Sequence, residues 1–191
     1  MDSNWFRTYE KLLPHAACLD IETCYWNGPI AVIGIYRPRD GPIEVTQLVR
    51  GQTLTREALA QALHGIQLII TFNGQTHDLP KIGKEFPGCI GPHVASLDLY
   101  EVAKDLNLNA GLKLLEGQFD IERPEWMRRR RHIAVKLWRR FAKHDNRQAL
   151  AALLEYNAQD AVNLYPLAQV LAKKSKVRAR ILSAIDAATV M

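Results

Sequence analysis

The first half of the chain alternates short apolar segments with turn residues. Two stretches rich in Gly, Pro and Asn, residues 27–29 and 38–42, supply the backbone angles that short connections need. Turns of this kind between apolar runs predict strands that follow one another in antiparallel succession. The three predicted strands are 16–23, 30–36 and 43–48.

The hydrophobic period then changes to the helical value. Apolar residues at helical spacing predict a helix over 53–63, which the left-handed cap provided by Gly65 would end. The continuous apolar run 68–72 predicts a strand buried on both faces, and a strand after a helix implies a right-handed crossover in a mixed sheet. A further strand at 94–99 is predicted between short helices at 79–86 and 100–106.

Helical patterns dominate the second half. They predict helices over 112–116, in the basic segment that follows, and over 148–173, where Pro166 predicts a kink or a break. Before the first strand, residues 4–13 predict a short helix or an extended lead-in. The expected fold class is therefore α/β, with a mixed sheet of about five strands, the first three antiparallel, flanked by helices.

No internal repeat, low-complexity stretch or linker is visible in the 191 residues. We therefore expect a single domain over 1–191, with a core at 16–171 and a basic C-terminal helix at 172–191. No apolar run approaches the roughly 18 residues of a membrane helix, and the first residues lack the order of a secretory signal. We expect a cytoplasmic protein without membrane contact.

The three cysteines, without a CxxC pair, argue against a disulfide framework and a zinc knuckle.

Positive charge is concentrated late in the chain. The formal net charge is +5, and ten Lys or Arg lie between Arg123 and Arg147 against two acidic residues. Such a stretch attracts polyanions such as nucleic acid. Three aromatic residues, Trp126, Trp138 and Phe141, interleave the cations. They suit the stacking of bases, and they suit equally an amphipathic helix whose aromatic residues face the core.

Carboxylates recur at spacings that place them on shared faces. Asp20 and Glu22 lie two residues apart in the first predicted strand, so both project to the same side of the sheet and repel each other unless a cation lies between them. Tyr156 and Asp160 lie four residues apart in a predicted helix and share one of its faces. If that face meets the end of the strand, three carboxylates and a phenol converge.

A fourth carboxylate, Asp78, follows the buried strand and its Asn73-Gly74 turn. An all-oxygen set of this kind suits hard divalent cations such as Mg²⁺ or Mn²⁺. Two such cations would allow hydrolysis of a phosphodiester by in-line displacement. The alternatives are a solvated sheet face for the strand carboxylates, a helix N-cap for Asp78 and a plain turn for Asn73 and Gly74.

The motifs resemble those of the DEDD exonucleases of the RNase H-like superfold, in the subgroup with Tyr in the third motif. Residues 16–171 take part, and the similarity extends in particular to the YprB-like RNase H-like domains. The matching segments are Leu19-Asp20-Ile21-Glu22-Thr23, Phe72-Asn73-Gly74-x-x-x-Asp78-x-Pro80, Tyr156-Asn157-x-x-Asp160-x-x-Asn163-Leu164, Leu97-Asp98-Leu99 and Gly111-Leu112-Lys113.

The resemblance implies a role for each acidic residue. Asp20 would bridge two cations, Glu22 and Asp160 would complete the site that activates water, and Asp78 would hold the second cation directly or through water. Tyr156 would orient the attacking water, since a phenol with a pKa near 10 is a poor base at neutral pH.

The expected function is a metal-dependent nuclease, and the resemblance implies a 3′–5′ exonuclease that acts on single-stranded DNA or RNA ends. Rival interpretations are an endonuclease with the same carboxylates, a nucleic-acid-binding module without turnover, and a plain interaction protein. Asp98 and Lys113 fit a structural role or a substrate contact. The candidate substrate-binding residues are Thr23, Asn73, Gly74, Lys113, Arg130 and Arg139.

Overall fold

The computed structural model describes residues 5–128 and 132–189. Five strands form one sheet in the order β3-β2-β1-β4-β5. Pairing is antiparallel for β1 with β2 and for β2 with β3, and parallel for β1 with β4 and for β4 with β5. This confirms the predicted mixed sheet. The strands are β1 (Ala16–Thr23), β2 (Ile30–Tyr36), β3 (Val45–Val49), β4 (Leu68–Thr71) and β5 (Ala95–Asp98).

Helices flank the sheet, and most begin or end within a few residues of the predicted bounds. The Thr55 hydroxyl caps the second helix by accepting the N–H of Ala58 at 3.1 Å. The helices are α1 (Trp5–Leu12), α2 (Arg56–Ala62), α3 (Asp78–Glu85), α4 (Leu99–Asp105), α5 (Leu112–Gln118), α6 (Glu125–Arg128), α7 (Ile133–His144) and α8 (Arg147–Thr189), and a 3₁₀ turn covers Leu13–His15.

The sequence predicted a kink or a break at Pro166, and the last helix does not break there. It runs from Arg147 to Thr189 as one element. A proline inside a helix costs about 3 kcal/mol. On either side of it, Leu164 and Leu167 are fully buried, and burial of one such side chain contributes about 1.5–3 kcal/mol. Packing against the sheet therefore outweighs the lost hydrogen bond.

The two sheet faces are buried under different helices, and this decides where the carboxylates lie. Side chains alternate along β1, so Leu19 packs with residues of α2 and α3 while Cys18 packs with residues of α4 and α8. Asp20 and Glu22 continue the row of Cys18. They therefore lie on the face that α8 covers.

None of the helices in the described part of the chain combines the length and the apolar character that crossing a membrane requires.

Candidate metal centre

Three carboxylates from two elements meet at the end of β1. Asp20 and Glu22 on β1 and Asp160 on α8 each offer one oxygen, and these oxygens all lie within 4.8 Å of one another. The strand and the helix are separated by more than a hundred residues in the chain. Their contact thus creates a site that neither contains alone. We refer to these three residues as the carboxylate centre.

A side-chain amide holds the first of these carboxylates in place. Asn157 donates from Nδ2 to Oδ2 of Asp20 at 2.9 Å and accepts at Oδ1 from Nε2 of Gln47 at 3.0 Å. Gly34 on β2 lies beneath this amide, and any Cβ there would collide with Asn157 Oδ1. A glycine at this position lets Asn157 reach Asp20. Sequence analysis assigned Asn157 no role, although it lies within the third motif.

A buried arginine holds the carboxylate of the helix. Arg123 donates from Nη2 to Oδ1 of Asp160 and pairs with both oxygens of Glu116, at 2.6 and 2.7 Å. Asn163 donates to the same Glu116 at 2.9 Å. Only 5% of Arg123 is exposed. Although Arg123 begins the basic stretch of the sequence, it is a partner of the carboxylate centre and not a surface charge.

The electrostatics of the carboxylate centre favour a cation. Burial raises the pKa values of Asp20 and Glu22 well above their ordinary range, and the neighbouring charge of Asp160 raises both further. Burial also raises the pKa of Asp160, which Arg123 opposes. Buried like charges of this kind are relieved by an opposite charge between them. An all-oxygen donor set fits a hard divalent ion such as Mg²⁺ or Mn²⁺.

Asp78 lies near the carboxylate centre without joining it. It is the first residue of α3, and among the described residues it is not part of the group within 4.8 Å. Its charge nevertheless raises the pKa values of Asp20 and Glu22. Burial, with Asp98 and Asp160, raises the pKa of Asp78 itself to about 7. This position suits a contact through water better than a shared oxygen ligand.

The turn before α3 is held by an aspartate of β5. The Asp98 carboxylate accepts the N–H of Asn73 at 2.6 Å and of Gln75 at 3.0 Å. Gly74 has no room for a Cβ because Thr71 lies against it. Within the turn, the side-chain oxygen of Asn73 accepts a hydrogen bond from the hydroxyl of Thr76 at 2.9 Å. Asp98 therefore positions the start of α3, and substrate contact by Asn73 and Gly74 stays a prediction.

The tyrosine of the third motif lies beside the carboxylate centre. Tyr156 is 8% exposed, and Nζ of Lys113 donates to its hydroxyl and lies 4.4 Å from its ring centroid. Burial raises the pKa of Tyr156, and Asp160 and Glu22 add to this effect. The phenol is therefore neutral in this setting. Lys113, predicted as a substrate contact, donates its hydrogen bond to Tyr156 in this structure.

The aromatic residues of the basic segment face the interior. Trp138 is buried, and Trp126 and Phe141 are partly buried against the same apolar cluster as Met127 and Leu153. Of the two readings left open by the sequence, the structure shows the amphipathic helix. Trp138 is thereby withdrawn from solvent, and stacking of bases on half-buried Trp126 and Phe141 stays a prediction.

Two exposed aromatic residues that sequence analysis missed lie just after β1. Tyr25 is 59% and Trp26 is 74% exposed. The loop that carries them is held from α3, because Lys81 donates to the carbonyl of Gly28 at 2.8 Å and Glu85 accepts the N–H of Ile30 at 2.8 Å. Consecutive aromatic residues before an Asn-Gly-Pro turn were the signal that could have revealed them.

The remaining predicted substrate contacts differ in position. Thr23 is the last residue of β1 and pairs with Ile30 beyond a register shift that follows Glu22. Arg139 is exposed on α7. Arg130 lies outside the described residues. Each of these contacts stays a prediction.

Fold and site together define an α/β protein with an acidic centre at the end of its central strand. The RNase_H_2 family model, described as RNase_H superfamily, matches residues 17–172. The chain therefore belongs to the RNase H superfamily. No curated protein and no solved structure matches the chain significantly. Membership of this superfamily indicates a metal-dependent nuclease that acts on nucleic acid, and the three carboxylates could bind the metal.

Proposed function

We propose that this protein is a two-metal 3′–5′ exonuclease of the DEDD type with Tyr in the third motif, related to the YprB-like domains. The observation that carries the proposal is the meeting of Asp20, Glu22 and Asp160 within 4.8 Å. Four acidic positions and a tyrosine in the order of that family support the finer assignment. A single domain over residues 1–191 is part of the same proposal.

The residues of the carboxylate centre would hold two divalent cations, Mg²⁺ or Mn²⁺, with Asp78 contributing through water. Such cations supply neutralisation of the phosphate charge and a lowered pKa of bound water. Asn157 keeps one oxygen of Asp20 in a fixed direction by its hydrogen bond at 2.9 Å. Arg123 does the same for Asp160. Fixed ligands of this kind are what a rigid cation geometry requires.

Tyr156 would orient the attacking water by a hydrogen bond. Its raised pKa keeps the proton on the phenol, so it acts as a hydrogen-bonding group and not as a base. Lys113 donates a hydrogen bond to the same phenol oxygen. Tyr156 would therefore take no proton, and the attacking water, whose pKa the bound cations would lower, would release its proton to solvent.

A single strand is the substrate that best fits the surroundings. The exposed rings of Tyr25 and Trp26 follow β1 directly and offer a surface on which an unpaired base can stack. Thr23 and the Asn73-Gly74 turn would contact the end of the strand, and Arg130 and Arg139 its phosphates. Stacking accepts every base, so the proposed enzyme reads no sequence.

Replacement of Asp20 by Asn tests the proposed chemistry. With Mn²⁺ and a labelled single strand, we expect hydrolysis to fall by about three orders of magnitude or more. Glu155→Gln is the matched control, since Glu155 lies exposed on α8 next to Tyr156 and the substitution removes the same charge. Hydrolysis that survives in D20N, or that falls equally in E155Q, contradicts the assignment.

The end-dependence of cleavage tests the exonuclease part. A linear strand labelled at its 5′ end should shorten from the 3′ end while a circular strand of the same sequence stays intact. Cleavage of the circle would establish an endonuclease that uses the same carboxylates. Cleavage of neither strand under Mg²⁺ or Mn²⁺, with binding preserved, would support a binding module without turnover.

A further inference from the structure

One face of α7 consists entirely of cations. Their spacing of three and four residues places them on one stripe of the helix. All of them are exposed, while Ala134 and Trp138 on the opposite face are buried. This α7 stripe consists of Lys136, Arg139, Arg140 and Lys143.

The α7 stripe is unpaired. Within residues 5–128 and 132–189, none of its four side chains forms an ion pair or a hydrogen bond, and α7 contains no acidic residue. Some cations elsewhere are paired, such as half-buried Lys176 with Glu10 and exposed Arg147 with Asp145. Like charges one turn apart destabilise a helix by about 0.2–0.5 kcal/mol per pair. A polyanion bound along the stripe would offset this cost.

The α7 stripe begins beside the hairpin that follows the carboxylate centre. His132, the residue before α7, lies with its ring 6.0 Å from the ring of Trp26 in an edge-on contact. Trp26 follows the end of β1 by three residues. From this point α7 extends for its 12 residues, about 18 Å at 1.5 Å per residue. A strand that leaves the carboxylate centre past Trp26 would meet the stripe next.

We propose that the α7 stripe is a binding track for the phosphates of the strand upstream of the cleaved end. This inference rests on the proposed nuclease function and adds a requirement for length, because a strand too short to reach α7 would lose these contacts. Charge complementarity favours a polyanion over a neutral partner. A membrane surface fits poorly, since an interfacial helix exposes apolar residues and the apolar face of α7 is buried.

Binding to single strands of graded length tests the track directly. We would use the full chain with Asp20→Asn, to prevent hydrolysis, and fluorescent oligothymidylate and oligouridylate of about 4 to 16 nucleotides, the range of single-strand site sizes. Affinity should rise with length and then level off. Similar results for DNA and RNA would agree with contacts to phosphates, which both possess.

Charge reversal of the stripe gives the decisive comparison. The variant K136E/R139E/R140E/K143E should bind the longest strand at least tenfold more weakly. The slope of the logarithm of the binding constant against the logarithm of the salt concentration should decrease in magnitude by about 3, because each lost phosphate contact on a single strand accounts for about 0.7. The control R7E/K11E/R39E/K173E changes four exposed cations elsewhere by the same charge and should shift affinity less than the stripe variant. Thermal unfolding verifies that both variants are folded, and the milder glutamine variant at the same four positions should give an intermediate loss.

Equal affinity and an equal salt slope in the stripe variant and the parent would overturn the track. Stronger binding of the parent to anionic vesicles than to the longest strand, lost on charge reversal, would assign the stripe to a membrane instead. The chemistry is tested separately with bis(p-nitrophenyl) phosphate, which is too small to reach α7. If the parent with Asp20 intact hydrolyses neither this compound nor any strand, the nuclease proposal fails while the binding comparison still decides the track.

Discussion

The carboxylate centre and the α7 stripe differ in how their charges are placed: those of the centre are buried and paired, and those of the stripe are exposed. In the centre, Asp160 is 7% exposed and its partner Arg123 is 5% exposed, and each has fixed hydrogen-bond partners. On the stripe, Arg139 and Lys143 are exposed and, within the described residues, unpaired. The sequence shows Arg123 and the stripe as one basic stretch. Burial distinguishes Arg123, whose charge orients a carboxylate, from the stripe residues, whose charges are free to bind an anion.

This contrast predicts effects on stability of different size. Removal of one partner from a buried charge pair costs about 3–5 kcal/mol, because the remaining charge stays buried without compensation. Changes at exposed positions without special contacts stay within about 0.5 kcal/mol.

The largest effect is expected for Arg123→Met, which leaves Glu116 and Asp160 without their cation. We expect the melting temperature to fall by about 10 °C, from a loss of about 3–5 kcal/mol at about 2–4 °C per kcal/mol for a chain of this size. Arg139→Met, the same change on the stripe, is the control. Calorimetry of both variants measures the difference, and equal melting temperatures would remove the distinction drawn here.

Addition of Mn²⁺ should stabilise the folded protein through the carboxylate centre. At a hundred times the dissociation constant, a cation that binds only the native state contributes about 2.7 kcal/mol. Melting curves with and without Mn²⁺ should show this rise in the parent and in the stripe variant but not in Asp20→Asn. A rise that persists in D20N would place the cation elsewhere.

Gly34→Ala should disturb the carboxylate centre from the β2 side. The added methyl collides with Oδ1 of Asn157 and would push that amide away from Asp20. We expect a loss of about 1–3 kcal/mol, as for other overpacked sites. Gly83→Ala is the control, because a Cβ there has open space and α3 gains a better helix former. Chemical unfolding of the two variants measures the contrast.

The metal-free protein should lose stability as the pH rises from about 4 to about 7. Burial raises the pKa of Asp78 from 3.8 to about 7. Between these two pH values the unfolded chain has lost this proton while the folded protein still holds it, so the free energy of unfolding falls as the pH rises. Asp78→Asn should flatten the dependence of the melting temperature on pH. Bound cations should reverse its sign, since they require deprotonated ligands. A metal-free melting temperature that increases over this range would contradict the assignment.

The smallest effect is expected for Arg140→Ala on the stripe. Loss of one of four neighbouring like charges should leave the free energy of unfolding within about 0.5 kcal/mol of the parent, or raise it slightly. Binding of a single strand should nevertheless weaken, with a salt slope lower by about 0.7. Marked destabilisation would show that Arg140 has a structural role that its exposed position does not indicate.

Much of the fold was predictable because periodicity reports burial. β1 and β2 begin and end where the apolar runs do, and the antiparallel and parallel pairings agree with the turn and crossover arguments. Of the kink or break predicted at Pro166, the break does not occur, because local propensity did not include the burial of Leu164 and Leu167.

The candidate site was predictable only in part. Spacing placed Asp20 with Glu22 and Tyr156 with Asp160, but no local pattern tied Arg123 to Asp160 or Asn157 to Asp20. These partners lie far apart in the chain, and their hydrogen bonds depend on how α8 lies on the sheet. The outward position of Tyr25 and Trp26 also depends on contacts from α3.

The sequence by itself determined the elements, the face of β1 that carries its two carboxylates, and the stripe spacing of the cations on α7, because these follow from periods of two and of 3.6 residues along one segment. Only the tertiary structure decided that α8 brings Asp160 within 4.8 Å of β1 and that Arg123 is buried while Arg139 is exposed. The physical reason is that electrostatic partners and burial are properties of surfaces in contact, which separate segments acquire only when they pack.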